Sequence, residues 1–282
     1  VVSEARRRSQ AAGEADLEEP SLFDPESVTW RVHAHPSALV GGLRALLVQA
    51  LDSRAMAGVA EHSDYKRDPW GRLRSTSDFV VRSTFGTRSE AEAAGAQVRA
   101  VHGRVRGTDP FSGRPYDASD PALLRWVHLV EVDSFLAAYQ AYGGHLSRAE
   151  QDRYVAEMDR AAMLVGLDPS MLPRDAEGVR AAIESRSDLA VTAAAAETAR
   201  LVLSPPMPAA LVPLWRLAAR GALAILPPGA ARLWGVSLSW PERVALGGAL
   251  SALSSMVEVV VPRHPLVQRA QRRMGRAAGP AS

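Results

Sequence analysis

The chain predicts an all-α protein, a single multi-helix domain, and three observations carry that prediction. Apolar residues recur at intervals of three and four through most of its length. Capping residues stand where those periodic stretches begin, and no convincing run alternates apolar and polar residues as a strand would.

Residues 1–26 are polar, alanine-rich and acidic toward their end, and are expected to form a mobile arm. The helical domain is expected over 27–276, with a disordered tail over 277–282. From Val40 the pattern is helical almost everywhere, beginning with LVGGLRALLVQAL (39–51). DPWGRL opens the next helix, with Asp68 suited to the N-cap and Pro69 to the first helical position. TRSEAEAAGAQVRAVHGRV follows, with Thr87 and Glu90 at capping-box spacing and Gly107 just past the expected end. GTDPFSGRPYDAS (107–119) is rich in turn residues and reads as a short hairpin on Ser112-Gly113. Asp120-Pro121 starts a helix running to about Tyr142, and Ser147 caps another that closes at Gly166. Further helices are expected near 175–186, 191–203, 208–226 and 240–260, the last three separated by proline pairs at 205–206 and 227–228.

At 282 residues, the chain is long enough for one large domain or two small ones. An apolar fraction of 47% and a charged fraction of 23% are those of a globular protein. There is no cysteine, which excludes disulfides, zinc thiolate sites, iron–sulfur clusters and thiol nucleophiles. Basic and acidic residues nearly balance at 33 and 31, so nucleic acid is not expected as a partner; Lys66 is the single lysine. VVSEARRRSQAAGEADLEEP lacks an apolar leader segment, and a cytoplasmic location is expected. No transmembrane segment is expected, the nearest apolar stretch (208–226) being broken by Pro213, Arg216 and Arg220. The arginine-rich RHPLVQRAQRRMGR (263–276) reads as a solvated terminal helix or as a basic face for peripheral membrane contact.

Most of the seven histidines have structural readings. His33, His35 and His264 stand near prolines or the chain ends, His145 lies in a turn, and none has the spacing of a metal motif such as HExxH. His102 lies within VRAVHGRVRG, flanked by Arg99, Arg104 and Arg106. Fixed positive charge should keep its imidazole neutral, and Val98, Val101 and Val105 fall on or near one side. Spacing leaves two readings open: a core histidine, or an iron ligand of haem with the arginines, Arg106 among them, on its propionates. His128, in an apolar helix with Glu131 within a turn, reads as half of a structural pair or as a group orienting a ligand. Arg72, Thr76, Phe79 and Ser83 share one helix face and form a candidate polar patch, and Glu61 lies where a loop enters that helix.

Several segments, taken in order, resemble the family of MpaB and the rubber oxygenases (latex clearing protein). They are RALLVQALDSRAMAGVAEHSDYKRDPWGRLRST (44–76), VRAVHGRVRG (98–107), YDASDPALLRWVH (116–128) and the stretch over 152–173. The resemblance spans roughly residues 30–275. It implies a globin-like helical core around haem b, with His102 as the proximal iron ligand. Arg72 and Thr76 then lie on the distal side, His128 supports the haem site, Phe79 lines the pocket, and Glu61 is the candidate carboxylate base. It further implies an oxygenase of a small hydrophobic, unsaturated or isoprenoid substrate, with dioxygen bound opposite the proximal histidine. A haem-binding or gas-sensing protein without turnover, and a helical interaction protein that has lost haem, are the alternatives. Two departures stand out: Ser75 occupies the place of a lysine that can coordinate iron in the rubber oxygenases, and Leu51-Asp52-Ser53 replaces the Leu-His-Pro of many relatives.

Overall fold

The computed structural model of the chain describes residues 19–64, 66–260 and 264–277. Helix α1 (Val28–Ala34) starts on Ser27, whose hydroxyl accepts from the Trp30 N–H at 3.1 Å. After α2 (Ala38–Gln49), Asp52 caps α3 (Ser53–His62) by accepting from the Arg54 and Ala55 N–H groups. Helix α4 (Pro69–Phe85) has Asp68 at its N-cap, and α5 (Arg88–His102) opens on the Thr87–Glu90 capping box, both as expected.

The ribbon β1 (Arg106–Thr108) and β2 (Pro115–Asp117) pairs antiparallel, Arg106 opposite Asp117 and Gly107 opposite Tyr116. It carries a correction to the sequence reading. Helix α5 ends at His102, and Gly107 belongs to a strand. Its glycine is required by close approach, because a Cβ there would lie 2.6 Å from Tyr116 Oη and 2.9 Å from Glu61 Oε2.

Beyond the ribbon run α6 (Pro121–Tyr142), α7 (Arg148–Leu164), α8 (Ala176–Glu184), α9 (Ala193–Leu203) and α10 (Val212–Ala224). The short α11 (Pro228–Leu233), α12 (Trp240–Val260) and α13 (Pro265–Ala277) complete an all-α domain. The expected arm ends before position 26: Ser21 bridges Thr87, and Phe23 is in the core. Residues 1–18 of that arm and 278–282 of the expected tail lie outside the described residues. The terminal basic helix is docked, contrary to the solvated reading. Val267 and Ala270 pack with Trp30 and Phe85, Arg269 pairs with Glu90, and Arg273 donates to the Phe85 carbonyl.

The central packing is α2 on α6, with Gly41 letting the two backbones approach at Ser134 and Phe135. Helices α9 and α10 lie on α2, α7 and α8 lie on α6, and α12 lies across α10 and α6. At the centre Arg44 meets Asp133 at 2.6 Å, with both side chains buried. Arg44 also donates to Ser134 Oγ at 2.6 Å and to the Ile225 carbonyl at 2.8 Å. Helices α4 and α5 form a hairpin that packs on itself and is held by α1, α7 and α13. No extended contact joins that hairpin to α6.

One described helix, α12, is long and apolar enough to cross a membrane by length and composition, with mean hydropathy 1.4 over its best window. This corrects the expectation that placed the nearest such stretch at 208–226. Gly247, Gly248 and three serines interrupt its aliphatic run without adding charge, so a count of uninterrupted apolar residues passes over it.

Replacing Asp133 with Ala strands a charged, buried Arg44, and urea unfolding is expected to show a loss of about 3–5 kcal/mol. The paired change Arg44→Met with Asp133→Leu is expected to recover most of that loss. Additive losses in the double variant would show that the pair does not act as a unit.

Candidate functional site

The α4–α5 hairpin fixes the site by arithmetic. The helices turn back at Gly86-Thr87, and Arg72 and His102 lie equally far from that turn, about 20 Å along each axis. They therefore sit level on adjacent helices, and the Arg72 charge reaches His102. The His102 imidazole is held below its ordinary range, first by burial and then by the Arg72 guanidinium, against an opposing pull from Asp117. Its Nδ1 is buried with no hydrogen-bond partner, and neither ring nitrogen bonds to a described residue. The ring is a neutral base with its nitrogens uncommitted. The apolar layer expected around it is thinner than the spacing implied: Val101 is exposed and Val105 lies beyond the helix end.

Arg72 has no carboxylate partner among the described residues. Surrounding protein pulls its guanidinium below the usual arginine range, yet the side chain is exposed. Both hold for a cation that lies over neighbouring protein while its side chain stays open to solvent. Thr76 is exposed one turn on and donates its hydroxyl to the Arg72 carbonyl at 3.1 Å. Phe79 is half-buried and Ser83 fully buried, so this face descends from solvent into the body. Ser75 is exposed.

Two expected members are occupied elsewhere. Glu61, expected as a distal base, is exposed and accepts from Tyr116 Oη at 2.5 Å. That bond and burial push the Tyr116 phenol up to about 12. Arg106, expected on a propionate, is exposed, donates to the Gly103 carbonyl at 2.6 Å and lies 3.9 Å from Asp117. Asp52 has a structural task, capping α3 and pairing with Arg186 at 2.7 Å while Arg186 covers the Trp126 ring.

Helix α6 carries the other expected histidine, and no extended contact among the described residues brings it to the hairpin. His128 is buried, and burial pulls its imidazole down to about 4. Its ring makes no hydrogen bond to a described residue, so the expected structural pair with Glu131 does not form. Glu131 is half-buried, also without hydrogen bond or ion pair among the described residues, and burial pushes its carboxyl up to about 7. The sequence reading placed Glu131 as a partner and missed it as a free acid. The signal was present: Val127 and Phe135 stand four residues either side of it and Ser134 three beyond, so its one titratable helical neighbour is His128, itself on an apolar helix. By contrast His33 is a satisfied core histidine, bonded to Thr84 Oγ1 at 2.9 Å and Tyr154 Oη at 3.0 Å.

No group of three or more His, Cys, Asp or Glu among the described residues is placed to hold a bare metal ion. Haem asks less of the protein, since its porphyrin supplies four iron ligands and a single imidazole can supply the fifth. A neutral, unpartnered His102 beside an unpaired Arg72 fits that demand.

Glu131 gives a pH test. Its folded pKa lies above the ordinary 4.5, so the folded state holds the extra proton between about pH 4.5 and about 7. Stability should therefore fall as pH rises through that window. Relative to the parent, Glu131→Gln is expected to gain about 2–3 kcal/mol across it, measured by denaturant unfolding at several pH values. A constant difference between the two proteins would show an unperturbed carboxyl.

No match was found among curated proteins or among solved structures. A family model described as "ER-bound oxygenase mpaB/B'/Rubber oxygenase, catalytic domain" matches residues 30–259, from α1 to the end of α12. The match takes in the whole α4–α5 hairpin and all of α6, and the chain belongs to this mpaB/rubber oxygenase family.

Proposed function

We propose that the chain is a haem b-dependent oxygenase that acts on a small hydrophobic substrate, unsaturated or isoprenoid in character, with dioxygen as co-substrate. The observation that carries this reading is the His102–Arg72 pair: a neutral imidazole with no partner, level with a guanidinium that has no counter-ion. Haem, when bound, supplies the activation of dioxygen.

The chain's own residues do the remaining work. His102 offers a nitrogen to iron, and burial, reinforced by the Arg72 charge, favours its unprotonated form. Arg72 also offers hydrogen-bond donors to negative charge in a partly dehydrated cleft, where such donors count for more than in water. Thr76 has spent its hydroxyl proton on the Arg72 carbonyl, so what it presents to a ligand is an acceptor. Phe79, deeper on the same face, gives an apolar wall against which a hydrocarbon can lie. Arg106 can take a propionate only by giving up its contact with Asp117. His128 is a second imidazole held neutral by burial, on α6.

One observation favours a second reading, a haem protein that binds a gas without turnover. Glu61 is held by Tyr116, which leaves the Arg72 side without the carboxylate base the resemblance implies.

After reconstitution with hemin, the parent protein is expected to show a Soret band that His102→Ala loses. Full haem occupancy and an unchanged spectrum in His102→Ala would overturn the ligand assignment. Arg72→Ala is expected to keep the band while dioxygen uptake with unsaturated lipids or terpenoids falls about 10–100-fold. No uptake by the parent protein with any of these would favour the gas-binding reading.

A further inference from the structure

We propose that the outer face of α12, together with the start of α10, docks on an anionic phospholipid surface, with α12 lying in the plane of the membrane. The exposed large apolar side chains of the described residues concentrate here. Trp240 is 75% exposed, Met256 57%, Val259 86% and Val260 71%, and Leu211 is 52% exposed beside them. Between Val244 and Val257 the helix has no charged residue. Its inner stripe is small: Leu250 seats over Gly221 of α10, and Ser254 is buried.

Helix α10 runs antiparallel to α12, as the contacts at their shared end show. Arg243 donates to the Ala224 carbonyl, and Arg220 pairs with Glu242 at 3.1 Å. The start of α10, with Leu211 and Leu214, therefore lies toward the Met256–Val260 end of α12 and extends one apolar surface. Those same ties argue against a spanning helix, since crossing a bilayer would strip α12 from α10 and from its buried stripe. An amphipathic helix with one face on protein and one apolar face outward is suited to the interface. Trp240, at the charged end of α12, has the apolar ring and polar N–H of an interfacial anchor.

Charge selects the occupant. Arg216 follows Trp215 on α10, and Trp215 meets Trp70 and the Val202 carbonyl, so Arg67 and Arg200 gather with it at the start of α10, all three exposed and without an ion pair among the described residues. Of the acids near these groups, Glu197, Glu242 and Asp68 pair with Lys66, Arg220 and Arg74, which leaves the exposed Asp64 beside Arg67 and Glu258 at the far end of α12. A symmetric second copy would bring the same arginines against one another. The chain's other segments offer little to cover the face: residues 1–18, 261–263 and 278–282 hold Val1, Val2, Leu17 and Val261 as their large aliphatic side chains. Anionic lipid meets both the apolar face and the positive rim.

Sedimentation with vesicles of phosphatidylcholine mixed with phosphatidylglycerol tests this on the full chain. The parent protein is expected to sediment with mixed vesicles, less so at raised salt. The triple variant Val244→Asp, Met256→Asp, Val259→Asp is expected to partition at least about tenfold more weakly. Arg216→Glu should weaken binding several-fold on mixed vesicles and leave binding to pure phosphatidylcholine unchanged. Brominated lipid should quench fluorescence in the parent more than in Trp240→Phe. Circular dichroism and thermal unfolding establish that each variant is folded. Equal binding by the triple variant, or a parent that stays in the supernatant, would overturn the proposal. So would a dimer in light scattering that the triple variant dissolves while vesicle binding persists.

Discussion

The ion pair between Arg44 and Asp133 holds α2 on α6, and most of the remaining architecture is built on that pair of helices. Its charges are out of water, so it survives only because the geometry is complete: Asp133 and Ser134 take the two guanidinium ends, and the Ile225 carbonyl takes Nε. Three helices are thereby referred to one another, because Ile225 terminates α10. The consequence reaches the candidate site. With one side of α6 committed to α2, His128 and Glu131 are left with no polar partner of their own, and α10 is fixed where its Trp215 meets Trp70 at the start of α4.

The α4–α5 hairpin relates differently to this centre. It is clamped near its turn, where Thr84 bonds His33, Arg273 donates to the Phe85 carbonyl and α1 packs beside it. Near the open end it is held by Trp70, whose indole N–H donates to the Pro206 carbonyl at 2.7 Å. Gly95 of α5 meets the Leu164 carbonyl so closely that no larger residue fits. Between these supports Arg72 and Thr76 stand exposed. A polar group without a partner is costly in a finished core and ordinary in a binding site, which is why Arg72 and His102 together mean more than either alone.

The parts of this fold that the sequence made legible are those decided within a few residues. Asp68-Pro69, Thr87 with Glu90, Asp120-Pro121 and Ser147 are caps read at spacings of one to three, and all four helices begin where those residues stand. The short α1 and α3 were not anticipated, because long-range partners complete them: Glu157 binds the Thr29 backbone and hydroxyl, and Arg186 secures Asp52. The end of α5 was misplaced for the same kind of reason, since VRAVHGRVRG keeps helical spacing while pairing with Tyr116 and Asp117 draws its last residues into a strand. In the site, the level placement of Arg72 and His102 follows from two capped helices and a tight turn. The engagement of Glu61 by Tyr116 and of Arg106 by Asp117 depends on that ribbon, which local patterns only hint at. Spacing likewise marked 240–260 as a helix without revealing which of its faces the body leaves bare.

The hairpin's length has a mechanical consequence. Arg72 and His102 ride at the end of two arms about 20 Å long, joined at Gly86-Thr87. A tilt of the whole hairpin by about 10° would carry both by about 3 Å while leaving the gap between them unchanged, because that gap belongs to the arms' own packing. Two spacings are thus governed separately. The helix pair sets the distance from guanidinium to imidazole, and the Trp70–Trp215 latch, whose rings lie 5.3 Å apart, sets how far the pair stands from the body. Bulk at the latch would act as a throttle on the width of the cleft without touching the groups inside it.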